Sequence, residues 1–163
     1  VVHDYVGTVH FSSTDPLAVL RGDYTFTNAD RGTHNFPVTL DTAGTQSVTV
    51  TDTVSPSIAG IQTGITVQPA AATTLALSGF PARTTRNAVH NLTVTAKDAY
   101  GNTVTSFART VFFASSDARA ILPPAAKLTN GTGTFPVELR TRGSETIVVT
   151  DGTISGSQDV TVV

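Results

Sequence analysis

Three short patterns carry residue types with chemical meaning. "VLRGDYTF" (19–26) holds Arg21-Gly22-Asp23, the tripeptide that many animal adhesive proteins present to integrins. Asn91-Leu92-Thr93 and Asn130-Gly131-Thr132 are N-glycosylation sequons, the first on the outward phase of a strand and the second in a turn. "DAYGN" (98–102) places Asp98 and Asn102 on either side of Gly101, where their oxygens could serve a calcium ion. Calcium takes six to eight oxygens, and the acidic spacing here is too sparse for a dedicated loop. The expectation is a structural turn, in which Asp98 bonds backbone two residues on and Gly101 or Asn102 takes a positive φ.

Other chemistry finds little support. His3, His10, His34 and His90 show no paired spacing for zinc and are expected as exposed strand residues, with His34 a cross-sheet neighbour of His10 at most. No Gly-x-Ser-x-Gly elbow exists and the carboxylates scatter over turns, so no catalytic residue, metal ligand or cofactor site is assigned. Lys97 in a strand raises an intramolecular Lys–Asn crosslink, but no signature unites it with Glu138 or Glu145; an ordinary surface lysine is expected. With no Trp and with tyrosine only at Tyr5, Tyr24 and Tyr100, a stacking platform for glycans is not expected.

The elements that carry these residues belong to a lightly charged chain. Charged residues make up 13% of 163 positions, about half the usual share, while Thr, Val, Ala and Ser abound. A 39% apolar content suffices for a core, which excludes a disordered tail. The net charge of −2 gives no basic face for nucleic acid. No run approaches the roughly 18 apolar residues of a membrane span, and "VVHDYV" does not read as a signal peptide. The chain is therefore expected to be mature, internal to a precursor, or a fragment. The absence of Cys removes disulfides and thiolate sites and is common among bacterial surface proteins.

The chain repeats itself. "YVGTVHFSSTDPLAVL" (5–20) aligns with "FARTVFFASSDARAIL" (107–122), pairing Val9 with Val111, Phe11 with Phe113 and Asp15 with Asp117. After a small gap Phe36-Pro37-Val38 falls on Phe135-Pro136-Val137, Leu40 on Leu139, Gly44 on Gly143 and Asp52 on Asp151. "IAGIQTGITV" (58–67) resembles "ISGSQDVTV" (154–162). Apolar alternation marks strands in both copies: Leu92/Val94/Ala96, Val111/Phe113, Phe135/Val137/Leu139 and Ile147/Val149, with Val9/Phe11, Phe36/Val38/Leu40 and Val48/Val50 in the first. In the second copy strands are expected near 73–80, 90–97, 103–107, 109–116, 124–129, 134–140, 145–151 and 157–163, with 103–107 merging into a neighbour. Short antiparallel strands with polar outer faces imply an all-β immunoglobulin-like sandwich, in tandem. The domains read as 1–67 and 68–163, joined by a Pro69-containing, extended and semi-stiff linker.

The stretch "LTVTAKDAYGNTV" (92–104), with Asp98-Ala99-Tyr100-Gly101-Asn102 after an alternating strand, resembles the D-A-x-G-N turn of bacterial immunoglobulin-like domains. These are the repeats of invasin/intimin-type adhesins and large bacterial surface proteins. "TNGTGTFPVELRTRGSETIVVTD" is similar to the same family's later strands. The resemblance covers 70–163 in full and 1–67 in part. It implies an extracellular, cell-surface stalk or spacer without enzymatic activity, whose neighbours are further repeats or like subunits.

In the first copy nothing corresponds to "LALSGFPARTTRNAVHNLTVTAKDAYGN", so 1–67 is expected to be an incomplete domain without its N-terminal strands. Their loss is expected to expose Val9, Phe36, Val38 and Leu40, each worth about 1.5–3 kcal/mol when buried. The missing strands are either upstream in a longer repeat protein or donated by a neighbour, which builds a filament. A ligand-binding module for a glycan or receptor is the third reading. The repeat places Arg21-Gly22-Asp23 opposite Pro123-Pro124-Ala125, in a variable connection.

Overall fold

The computed structural model describes residues 2–163 and forms two compact units, Val1–Gln68 and Pro69–Val163. Unit 1 contains β1 (Thr8–Ser13), β2 (Tyr24–Thr25), β3 (Gly44–Asp52) and β4 (Ala59–Val67), with a single 3-10 turn at Asn28–Asp30. Unit 2 contains β5 (Thr74–Ser78), β6 (Arg83–Thr84), β7 (Val89–Lys97), β8 (Thr110–Ser115), β9 (Ala126–Lys127), β10 (Thr132–Glu138), β11 (Gly143–Thr150) and β12 (Ser155–Val162). The fold is all-β. No helix among the described residues is long and apolar enough to cross a membrane.

Unit 2 is a β-sandwich. One sheet runs β10-β7-β5 and the other β6-β12-β11-β8-β9. Every pairing is antiparallel except β6 with β12. Alternation puts Leu92, Val94 and Ala96 of β7 into the interior against Leu75, Val111, Val137, Ile147, Val149 and Val160, all fully buried. Each such side chain contributes about 1.5–3 kcal/mol of hydrophobic stabilisation. The outward phase of the same strands is threonine-rich for a reason. Across β7 and β10, Thr93 pairs with Thr134 and Thr95 with Thr132 through their hydroxyls, at 3.0 and 3.4 Å.

Two expectations are corrected in this unit. Residues 103–107 form no strand and merge with none; Thr103 makes one bridge to Lys97, and the chain then turns so that Val104 and Phe107 drop into the core. The pair Arg83–Thr84, absent from the sequence reading, lies parallel to β12. At two residues it is too short for any apolar period to register.

Unit 1 holds one sheet, ordered β2-β1-β3-β4. That order matches β9-β8-β11-β12 of unit 2 strand for strand, with the aligned residues in the same places. The counterpart of β10, residues 33–39, is not a strand. It keeps only the bridge Val19–Thr39, which corresponds to Ile121–Glu138 in unit 2. The expected Phe36/Val38/Leu40 strand is therefore corrected. A strand requires a partner for its backbone groups, and among the described residues of unit 1 there is no equivalent of β7 to supply one.

Candidate functional site

The acidic residues singled out by the DAYGN turn and by the repeat are structural brackets. Asp98 is 3% exposed and its carboxylate accepts from the backbone N–H groups of Ala70, Tyr100 and Asn102 at 2.9, 3.0 and 2.8 Å, and from Asn102 Nδ2 at 2.9 Å. Gly101 takes the positive φ of the turn, 85°, a region open to glycine without steric cost. Burial opposes ionisation of Asp98, but the bonds from Asn102, Ala70 and Tyr100 outweigh it and hold the carboxyl below its ordinary range. With its oxygens filled by N–H donors, this carboxylate stitches the entry to β5 onto the turn after β7.

Asp117 does the same between two loops, accepting from Arg119 N (2.9 Å), Arg140 N (2.5 Å), Thr141 N (2.9 Å) and Thr141 Oγ1 (2.7 Å). Its repeat partner Asp15 accepts from Leu17 N, Asp41 N and Thr42 N at 2.8, 2.6 and 2.9 Å. Burial works against ionisation at both, and the donated hydrogen bonds overcome it, leaving each near 2. Asp52 and Asp151 close the hairpin turns that follow β3 and β11. Asp52 takes Val54 N, Ser55 N and the Tyr5 hydroxyl; Asp151 takes Thr153 N, Ile154 N and Arg109 Nη1. The bond to Asp52, followed by burial, pushes the Tyr5 hydroxyl up to about 12. The identity of these aspartates in both copies was the available signal for their role.

The remaining sequence candidates stay apart. Arg21, Gly22 and Asp23 are exposed on the connection into β2. Asp23 pairs with His10 Nδ1 at 2.7 Å and the Arg21 guanidinium lies 5.1 Å from the Tyr24 ring centre, so both charged groups have partners within unit 1. Asn91 is exposed on β7, and Asn130 is exposed in the turn before β10 with φ 51°. Lys97 Nζ donates to Thr103 Oγ1 at 2.9 Å. His10 faces solvent as expected, whereas His34 bonds Asp30 at 2.8 Å and packs against Tyr24 and Phe36. His90 sits against Phe80 and bonds Thr84, and His3 contacts the carbonyl of Arg31. Among the described residues no group of three or more His, Cys, Asp or Glu side chains is placed to hold a metal.

The feature that sequence reasoning located only in outline is the inner face of the unit 1 sheet. In unit 2 the matching face is covered by β7 and β5. In unit 1 Val38 is 38% exposed where Val137 is 1% exposed, and Leu40, Val48 and Val50 are half-buried where Leu139, Ile147 and Val149 are fully buried. Part of the face is screened by rings. Tyr5, Phe11, Tyr24, Phe26, His34 and Phe36 form a chain of contacts with centroids 4.4–6.3 Å apart, mostly edge to face. The expected exposure of Val9 is thereby corrected: Val9 and Phe11 lie on β1, an inner strand of the sheet, and are 6% exposed each, with Phe11 packed edge to face on Phe36. Phe36, packed among Phe11, Tyr24, Phe26 and His34, is half-buried, as is Leu40. Beside the rings an apolar hollow of about 290 Å³ remains, lined by Val2, Tyr5, Val9, Phe26, Val50 and Ile58 among others.

No family model matches this chain, and no curated protein matches it. Among solved structures it is similar to a β-glycosidase from Bacteroides vulgatus (TM-score 0.54, 12% identity), covering 96% of this chain and 21% of that one. It is also similar to the S-layer protein rSbsC(31-844) (TM-score 0.46, 23% identity; 95% and 20% covered) and to domains 4 and 5 of the S-layer protein SbsC (TM-score 0.45, 22% identity; 95% and 70% covered). The chain thus spans about a fifth of the first S-layer chain and of the glycosidase. The likeness to the glycosidase is one of β-sandwich fold.

Proposed function

We propose that the chain is a non-enzymatic pair of immunoglobulin-like modules from an extracellular bacterial surface protein, serving as a stalk or spacer. The observation that carries this reading is what the two copies share. They keep the sheet order and the buried aspartates at 15/117 and 52/151, which tie loops to strands. They do not keep the exposed chemistry. Arg21-Gly22-Asp23 stands against Pro123-Pro124-Ala125, and Leu17 and Asp41 stand against Arg119 and Arg140 on the same aspartate bracket. A module retained for its frame, with freely varied loops, suits a structural repeat. The D-A-x-G-N turn, the lack of cysteine and the threonine-rich outer faces support the same setting.

Protease shaving of intact cells tests the location. Peptides of this chain released from unbroken cells support the proposal; their recovery only after lysis overturns it. A ligand-binding role is less favoured, because the rings of unit 1 pack edge to face and half-buried, giving no flat platform for a sugar. Assembly by strand donation draws on a specific observation, the uncovered face of unit 1.

A further inference from the structure

We propose that the open face of unit 1 is a docking site for a strand pair of the β5–β7 type, carried by the polypeptide that leads into Val1. The inference rests on reading the chain as tandem modules, and unit 2 supplies its template. Where β5 crosses β12, a side chain at Gly156 is impossible: a Cβ there meets the Leu75 carbonyl oxygen at 1.7 Å. The equivalent residue in unit 1, on β4, is Gly60, and a Cβ there meets nothing within 4 Å. A glycine in a strand interior weakens the strand and marks close approach of another backbone. Unit 1 therefore keeps the clearance for a crossing strand in a place where no described residue crosses.

Three further observations agree. Residues 33–39 retain the Val19–Thr39 bridge at one end, with N–H···O distances of 2.9 and 3.1 Å against 2.9 and 3.0 Å for Ile121–Glu138. They are thus held in position as an unpaired edge. Val38, the counterpart of a fully buried core valine, is exposed beside it. The chain also arrives in the right place. Tyr5 N–H bonds Val2 O at 3.4 Å as Phe107 N–H bonds Val104 O at 2.9 Å, so Val2 stands where unit 2 has just left β7 and its Asp98–Asn102 turn.

Unit 2 fixes the register of the occupant. Its second strand runs antiparallel to 33–39, with the Leu92-like residue opposite Phe36 and the His90-like residue opposite Val38, following Leu92–Phe135 and His90–Val137. Its first strand passes backbone-first over Gly60. The occupant differs from β7 in bulk, because Tyr24 and His34 have replaced Ala126 and Gly133. A smaller residue is required at the position of Val94, which pairs with Gly133. A second copy of this chain is a poor donor, since its β5–β7 pair is already used to cover its own unit 2.

The test appends a second copy of residues 70–102 directly ahead of Val1, reproducing the junction between Asn102 and Thr103. A companion chain carries Val94→Ala in the appended copy. Hydrogen exchange is read at the amides of His34, Phe36 and Val38, the counterparts of the β10 residues in hydrogen-bonded pairs with β7, with those of β7 as an internal reference for folding. The proposal expects at least about 100-fold slower exchange at the amides of His34, Phe36 and Val38 in one or both fused chains. It also expects Gly60→Ala to be silent in the original chain and to abolish that protection in the fused one. Fast exchange in both fused chains with unit 2 intact overturns the proposal. So does a concentration-dependent dimer of the original chain that already protects the amides of His34, Phe36 and Val38. Neither result bears on cell-surface location, which the shaving experiment decides separately.

Discussion

Replacing Asp98 with alanine removes the acceptor for four N–H donors, three from backbone and one from Asn102. Hydrogen bonds to a charged group contribute about 1.5–3 kcal/mol net each, but donors that reach water regain much of that. Tyr100 is exposed, so the bonds inside the turn are partly replaced by solvent. The Ala70 bond ties the start of unit 2 to the turn, so its loss also frees that connection. A loss of about 3–4 kcal/mol is expected, a large fraction of the roughly 5–15 kcal/mol available to a domain. For a unit of this size that lowers Tm by roughly 12–25 °C. Asp98→Asn retains one acceptor oxygen and falls between. The assay is thermal and urea unfolding of both variants, with and without millimolar calcium. Calcium is expected to shift neither midpoint. A cost below about 1 kcal/mol, or a calcium-dependent rise in Tm that Asp98→Ala eliminates, refutes the bracket and restores a metal site.

Other perturbations follow from the same structure. Asp15 and Asp117 titrate near 2 in the folded chain against an ordinary 3.8, so their stabilisation is complete above pH 4 and is lost as pH falls toward 2. A melting temperature that stays flat from pH 5 to pH 2 contradicts this. Val137→Asp buries an unpaired carboxylate and is expected to cost unit 2 at least about 4 kcal/mol. Val38→Asp, at the equivalent but exposed site, is expected to cost less than about 0.5 kcal/mol, and equal losses in urea unfolding disprove the asymmetry. Asp23→Asn removes only an exposed pair with His10, so neither unit 1 stability nor attachment of integrin-bearing cells is expected to change. Loss of attachment revives the adhesive reading of Arg21-Gly22-Asp23.

Much of the fold was legible because its signals are local. Alternation located β7, β8, β10, β11 and β12, and the Asp98–Asn102 turn behaves as its residue types dictate. What was missed depends on long-range geometry. Val104 and Phe107 have strand-like composition, yet they cap the core from a turn, because Asp98 has already folded the chain back there. β6 exists only because β12 offers it an edge. Phe36, Val38 and Leu40 alternate like a strand but remain irregular, since alternation states which face is apolar and cannot supply a partner. The ring cluster escaped because Tyr5, Phe11, Tyr24, Phe26, His34 and Phe36 are scattered over 32 positions and meet only in three dimensions. Gly60 carried no message until Gly156 was seen beneath Leu75.

The central claim is that unit 2 is a closed sandwich while unit 1 presents half of one. Hydrogen exchange of the unaltered chain measures it directly, by comparing the amides of His34, Phe36 and Val38 with those of Gly133, Phe135 and Val137. The expected result is protection of the three β10 amides that bond to β7 and exchange close to the unfolded rate at their three counterparts in unit 1. Equal protection at the two sites in a monomeric chain contradicts it.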